Sequence, residues 1–285
     1  MKYQSILKWL LNLIGVLAIF AAGMGLFYSS AGEPYEFISH RGEKVMINGQ
    51  GLYSYDTISM AAQAQGNDVV ILFVGVPLLA FSGWLAFKGS MRGRLLLTGT
   101  LGFFLYTYMS MSMLSAYNIL FLVYVGLFSM SLFAFILCMM SFDIRRLPSY
   151  FSPKLPHGWI AGLLFFVAGF LALAWLGRIL PPLINNTIPA LENTTTLVIQ
   201  AMDLGLIVPL FILAGILLLR HNPWGYLLAS VSLLKGITLG LGVSMMAINM
   251  MLRGVAENVA IMVPFLVITI LNIVTSIILL KNVEE

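Results

Sequence analysis

Charged and metal-binding residues are scarce in this chain of 285 residues. Only 9% of its residues are Asp, Glu, Lys or Arg, against about 25% in soluble domains. A soluble protein of this length could not cover its surface with so few charges. The single cysteine, Cys138, excludes a disulfide framework. The three histidines are far apart in sequence and none has a partner at metal-ligand spacing, so we expect neither a metal nor a cofactor.

Basic residues are also too few and too scattered for a nucleic-acid binder. The formal net charge is +4, and the Lys and Arg residues are spread along the chain instead of forming one basic face. We therefore expect no nucleic-acid partner. The partner that the composition implies is the lipid bilayer, because 60% of the residues are hydrophobic and the mean hydropathy is +0.97.

Apolar segments long enough to cross a bilayer occur eight times. A membrane-spanning helix needs about 20 mostly apolar residues. The sequence thus predicts an all-α integral membrane protein with eight transmembrane helices. Their predicted ranges are 6–27, 69–87, 95–113, 119–140, 159–180, 195–219, 226–251 and 259–280. The first is too long for the apolar core of a secretory signal, which has about 7–15 residues, so we expect it to be an uncleaved span.

The loop charges predict the orientation of the spans. With the N-terminus inside, ten Lys and Arg residues fall on the cytoplasmic side and four on the outer side, while Lys235 lies within a span. Cytoplasmic loops carry the excess of positive charge. We therefore expect both termini to be cytoplasmic in a multi-pass protein of the cell membrane, a bacterial or archaeal inner membrane.

The first outer loop, residues 29–66, is predicted to contain a β-hairpin and a surface helix. Two short alternating segments within residues 33–55 flank a turn at His40-Arg41-Gly42-Glu43, which is typical of a hairpin. Asp56-Thr57 resembles a helix cap. The helix that it starts, residues 58–65, is predicted to lie on the outer surface before Gly66-Asn67 leads into the second span.

An internal repeat is predicted from a shift of 132 residues. Of the 38 pairs formed by aligning residues 76–113 with residues 208–245, 11 are identical without a gap, and Pro77 aligns with Pro209. We expect two parallel four-helix repeats, residues 1–140 and 159–285, joined by a cytoplasmic linker, residues 141–158. Parallel repeats occur in transporters, although duplication can also produce a scaffold that transports nothing.

Two charged residues are predicted to lie near the middle of the membrane. Asp203 is about 12 Å below the outer end of the sixth span, and Lys235 is about 14 Å above the inner end of the seventh. Each costs about 2.5–3.5 kcal/mol at such a depth. We therefore expect them to face each other inside the bundle, directly or through water or Asn272.

Further polar residues extend this layer in the second half. The candidate site for a substrate or ion consists of Asp203, Lys235, Gln200, Thr196, Thr238, Asn272 and Pro209. Thr196, Gln200 and Asp203 are spaced to share one helix face with Asn193. Pro209 and Pro77 interrupt two helices at matched positions, which in transporters marks a binding site. The alternative is that these residues only form interhelical hydrogen bonds and that the prolines only kink the helices.

Three functions remain open on the sequence alone. The favoured one is a carrier of a small solute or ion, which should expose its polar layer to a water-filled pocket. A sensor or assembly protein should bury that layer and expose an apolar patch on the hairpin. A lipid-modifying enzyme, the least favoured, should bring Asp56, Asp68 and Glu192 together at the outer rim.

Overall fold

The computed structural model describes residues 1–255 and 262–285 and is mostly helical. Seven of its helices are long and apolar enough to cross a membrane, so the chain is a multi-pass membrane protein. They are Gln4–Phe27, Ile58–Phe87, Phe121–Met140, His157–Ile184, Val198–Leu219, Pro223–Leu252 and Val263–Lys281. The predicted start of the last span at residue 259, like Glu257 before it, lies outside the described residues.

The helices are numbered in chain order. They are α1 (Gln4–Phe27), α2 (Ile58–Val70), α3 (Val76–Phe87), α4 (Met91–Leu114), α5 (Phe121–Met140), α6 (His157–Ile184), α7 (Val198–Met202), α8 (Val208–Leu219), α9 (Pro223–Leu252) and α10 (Met262–Lys281). A short 3-10 helix, Leu147–Tyr150, lies between α5 and α6.

Helix α4 is 24 residues long but is not among the seven apolar helices. It packs against α3, α5 and α9. Leu97, Leu101 and Tyr108 are fully buried along it. A helix surrounded by other helices does not need the continuous apolar surface that lipid requires, which explains its lower hydropathy.

The predicted β-hairpin is present. Strands β1 (Tyr35–Ile38) and β2 (Lys44–Ile47) are antiparallel, and Tyr35 lies opposite Ile47. An exposed ion pair joins Lys44 to Glu36 at 2.9 Å. The alternation of burial along β2 reflects the two-residue period of a strand with one covered face.

The separate surface helix predicted for residues 58–65 is wrong. Thr57 does cap a helix, since its side chain accepts a hydrogen bond from the Met60 amide, but the chain stays helical from there to Phe87, through one π-helical segment. Gly66 does not end it. Instead, a Cβ at Gly66 would lie 2.7 Å from the backbone of Met245, so the missing side chain lets α2 pack closely on α9.

Two π-helical segments interrupt long helices. Ile71–Gly75 joins α2 to α3, and Asp203–Ile207 joins α7 to α8. Pro77 and Pro209 are the second residues of the helices that come next. Proline has no amide hydrogen and so donates no hydrogen bond to the preceding turn. That turn can therefore widen without loss of a backbone hydrogen bond from the proline. Single π turns of this kind are frequent at functional sites.

Both termini lie at the same end of the bundle. Glu285 accepts hydrogen bonds from Ser90 and from the Arg92 amide, the latter at 2.9 Å. Phe151 pairs with Val283 in an isolated β-bridge. At the N-terminus, the Lys8 ammonium group lies over the ring of Phe87, at the end of α3.

Candidate functional site

Asp203 is the first residue of the second π-helical segment and is only 2% exposed. The Tyr106 hydroxyl of α4 donates to its Oδ1 at 2.6 Å, and the Trp175 indole nitrogen of α6 donates to its Oδ2 at 2.9 Å. Hydrogen bonds to an ionised acceptor are roughly twice as strong as neutral ones. Two helices outside α7 and α8 therefore hold this carboxylate.

Lys235 on α9 approaches the same cluster from the other side of Tyr106. Its Nζ lies 3.3 Å from the centroid of the Tyr106 ring, the arrangement of a cation–π interaction. Among the described residues, no ion pair within 4 Å joins Lys235 to Asp203. Asp203 and Lys235 thus both contact Tyr106, and neither the direct contact nor the contact through Asn272 that the sequence predicts is formed.

Asn272 and Thr238 contribute to helix packing beside this cluster. The Asn272 amide nitrogen donates to the Ile268 carbonyl at 2.8 Å, and its Oδ1 packs against Gly236, the neighbour of Lys235. The Thr238 hydroxyl donates to the Lys235 carbonyl at 3.1 Å. Both side chains are buried, and their contacts fit the purely structural alternative.

The remaining predicted residues are placed unequally. Gln200 is buried one turn before Asp203, and Pro209 lies in α8 beyond the π-helical segment. Thr196 is exposed in the loop before α7, which begins only at Val198. The expected helical face running from Asn193 to Asp203 is therefore wrong at its outer end, because residues 193–197 are not helical.

A cleft of about 200 Å³ opens at the end of the bundle opposite the two termini, where loops of the first and second halves of the chain meet. Its lining includes Met113, near the end of α4, and Val198, the first residue of α7. At 1.5 Å per residue, Asp203 lies about 7.5 Å deeper than Val198 along the helix axis. Asp203 is thus deeper in the bundle than the helix end that borders the cleft, and the Asp203 cluster does not itself line the cleft. The polar lining residues are Tyr55, Asp56, Thr57, Ser115, Asn193, Thr194 and Thr195.

One acidic residue, Asp56, lines this cleft, and a second, Glu192, is bonded to the lining residue Thr57. The Asp56 Oδ1 accepts a hydrogen bond from the Ala116 amide at 2.9 Å, and Thr57 bonds the carboxylate of Glu192. Asp68 is not at the rim: it is fully enclosed and accepts from the Tyr53 hydroxyl. Within the described residues there is also no group of three or more potential metal ligands. The arrangement of three rim carboxylates expected of an enzyme is therefore not formed.

We predict that Asp56 makes the fold less stable as the pH rises. Burial, and to a smaller extent Glu192, raises its pKa from 3.8 to about 6. Because the folded pKa is above the unfolded one, folding favours the protonated form, and its advantage disappears between about pH 4 and pH 6. Asp56→Asn should therefore raise the temperature of the unfolding midpoint when it is measured above pH 6. Below pH 4, the midpoint should be unchanged. An equal effect at both pH values, measured by thermal unfolding in detergent, would contradict this account.

Trp175 is a site residue that no sequence pattern singles out. It is one of several aromatic residues in a long apolar helix, and only its contact with Asp203 distinguishes it. Tyr106 is more recognisable, because a tyrosine within a span is a polar group in an apolar segment. No known protein family, no curated protein and no solved structure matches this chain, so its class rests on the bundle of apolar helices.

Proposed function

We propose that the chain is a carrier of a small polar solute or ion, and that its structure is that of a closed state. The observation that carries this proposal is the cluster of Asp203, Tyr106 and Lys235, buried where α4 meets the second π-helical segment and α9. Secondary transporters bind their substrates near the membrane midplane, between repeats and beside interrupted helices. The outer cleft above Asp203 supports an entry route from that side.

A parallel repeat is part of the proposal, and the local geometry supports it. The two π-helical segments, Ile71–Gly75 and Asp203–Ile207, are offset by 132 residues, the same shift that aligns the sequences. A Cβ at Gly93 would meet Leu85 and Ala86, and one at Gly225 would meet the equivalent pair. The turns at the two equivalent positions therefore both need a glycine, because any side chain there would collide with the preceding helix.

Contacts between α4 and α9 support a two-fold relation between the halves. A Cβ at Gly99 would meet Leu234, and a Cβ at Gly102 would approach Val231. With the 132-residue shift, Gly99 corresponds to Val231 and Gly102 to Leu234. Reciprocal contacts of this kind define an isologous interface. The site would then lie close to the axis that relates the two repeats.

We further propose eight spans, with α4 as the eighth, and both termini in the cytoplasm. The shared end of the termini includes Arg92 and Arg94 and the loop with Arg145 and Arg146, in keeping with positively charged cytoplasmic loops. A cysteine at His40, which is exposed in the hairpin turn, should react with an impermeant thiol reagent in intact cells. A cysteine at Lys154 should react only after lysis. The reverse pattern would overturn this topology. The native Cys138 is buried, so labelling of the unmodified protein gives the background signal.

The hydrogen-bonding capacity that remains unused in the site favours a solute with a hydrogen-bond acceptor. Both oxygens of Asp203 already accept bonds. Lys235 Nζ lies over the Tyr106 ring and forms no ion pair within 4 Å among the described residues, so it can still donate to a ligand. A thermal-shift screen of small carboxylates and amino acids tests this. A ligand should raise the midpoint of thermal unfolding by mass action in the wild type and in the control Lys154→Met. It should not raise the midpoint of Lys235→Met. Equal shifts in all three variants, or no shift from any compound, would count against the carrier.

A sensor or assembly protein is the second candidate, favoured by the hairpin. Tyr35, Phe37 and Ile38 expose 46%, 42% and 60% of their surfaces, an apolar patch of the kind that marks interaction sites. The polar layer is also buried, as this candidate requires. If the chain is a carrier, the double variant Phe37→Ser, Ile38→Ser, which removes two exposed apolar side chains of the hairpin, should still be stabilised by the ligand. Loss of a co-purifying protein in that variant would instead favour the second candidate.

A further inference from the structure

We propose that Asp68 forms a second binding site, for a proton taken up from the outer face. This carboxyl group belongs to α2 in the first half, away from the Asp203 cluster. Transfer of a proton from a hydronium ion outside converts the carboxylate to a neutral acid and leaves water. As a coupling proton for transport, the site rests on the proposed function; as a proton-binding site, it does not.

Asp68 is enclosed on all sides by uncharged groups. It is 1% exposed, and its Oδ2 accepts a hydrogen bond from the Tyr53 hydroxyl at 2.7 Å. On α1, a Cβ at Gly25 would lie 1.9 Å from the same oxygen, so the backbone of α1 covers it. The carboxyl group is therefore removed from both lipid and water.

Two further tyrosines close the pocket from α4 and α5. The Tyr108 and Tyr124 rings are stacked with centroids 6.4 Å apart. Both hydroxyls are buried and have no hydrogen-bond partner among the described residues. Tyr124 lies within electrostatic range of both Asp68 and Asp56, and Asp56 lines the outer cleft. Tyr124 is thus near both the enclosed carboxyl group and a residue that lines the cleft.

No cation balances this carboxylate in the described part of the chain. The ionisable groups that face it are Tyr53, Tyr108 and Tyr124. Arg253 directly follows α9, which also packs on α2, but its guanidinium group bonds Asn48 and Gln65 instead. No ion pair within 4 Å involves Asp68 among the described residues. A buried carboxylate without a countercharge is so costly that it takes up a proton instead.

A proton fits this pocket better than a metal cation does. Hard cations need six or more oxygen ligands, whereas one Asp68 oxygen is already occupied by Tyr53 and covered by Gly25. A neutral acid needs only one acceptor, which the hydroxyl oxygen of Tyr53, 2.7 Å away, can supply.

Infrared spectroscopy of the full-length protein in liposomes tests the proposal directly. At neutral pH, the wild type and Asp203→Asn should both show the absorption of a protonated carboxyl group, and Asp68→Asn should lack it. Tyr53→Phe removes one hydrogen bond to Asp68 and keeps the ring. It should shift the absorption of the protonated carboxyl group without abolishing it. This variant tests the site even in the event that Asp68→Asn does not fold. The same absorption in Asp68→Asn, or its loss when sodium is added at constant pH, would overturn the proposal. None of these outcomes depends on whether the chain transports a solute.

Discussion

Asp203→Ala is expected to lower the free energy of unfolding by roughly 3–5 kcal/mol, the cost of leaving a buried charge without compensation, and to abolish ligand binding. The variant leaves the Tyr106 hydroxyl and the Trp175 indole without their acceptor. It also leaves Lys235 as an isolated buried cation. Reversible unfolding in mixed micelles measures the stability, and the thermal shift with a ligand from the screen measures binding.

Matched variants separate the contributions to this loss. Asp203→Asn keeps one acceptor oxygen and should cost less. Tyr106→Phe and Trp175→Phe each remove a single bond to a charged group, worth about 1.5–3 kcal/mol. Adding Lys235→Met to Asp203→Asn should recover part of the stability, because the lone charge is removed. Strictly additive losses in that double variant would show that the two residues are not coupled through Tyr106.

Cross-linking the outer cleft is expected to stop solute exchange almost completely. Tyr55 and Thr195 are exposed residues that line the cleft from loops of the first and second halves. In a double cysteine variant, a cleavable bis-thiol reagent should fix the two halves in one state. A carrier must change the relative position of its repeats to expose its site alternately, so exchange measured in liposomes should cease and return after cleavage.

The control for this experiment is a cysteine pair within one element. Glu36 and Met46 are exposed partners across the two strands of the hairpin, and a cross-link there should leave exchange unchanged. Equal inhibition by both cross-links, or unchanged exchange with the cleft cross-linked, would show that the cleft is not the outer entrance.

Much of the fold can be predicted from composition and local pattern. Few charges and long apolar runs predict a membrane bundle, and the alternation around His40-Arg41-Gly42-Glu43 predicts the hairpin that the structure contains. Thr57 caps a helix as its residue type suggests. These features depend on neighbouring residues, which a sequence displays directly.

The errors arose where long-range packing overrides local pattern. Gly66-Asn67 resembles a break in a helix, yet Gly66 is needed for close contact with Met245, a residue far along the chain. Asp203 and Lys235 were identified because charges within spans are rare, but their connection through Tyr106 and the contribution of Trp175 depend on how four helices pack. Thr196 falls outside the site because α7 begins later than the apolar run does.

The most direct test of the central claim is the accessibility of the buried site from both faces of the membrane. Gln200 lies one turn outside Asp203, and Ser232 lies one turn from Lys235 towards the other end of α9; both are buried in the closed state. A carrier predicts that a cysteine at Gln200 reacts with an impermeant reagent in right-side-out vesicles, that one at Ser232 reacts in inside-out vesicles, and that a bound ligand slows both reactions. A failure of both cysteines to react from either side would contradict the account, because the cluster would then be a permanently sealed part of the bundle.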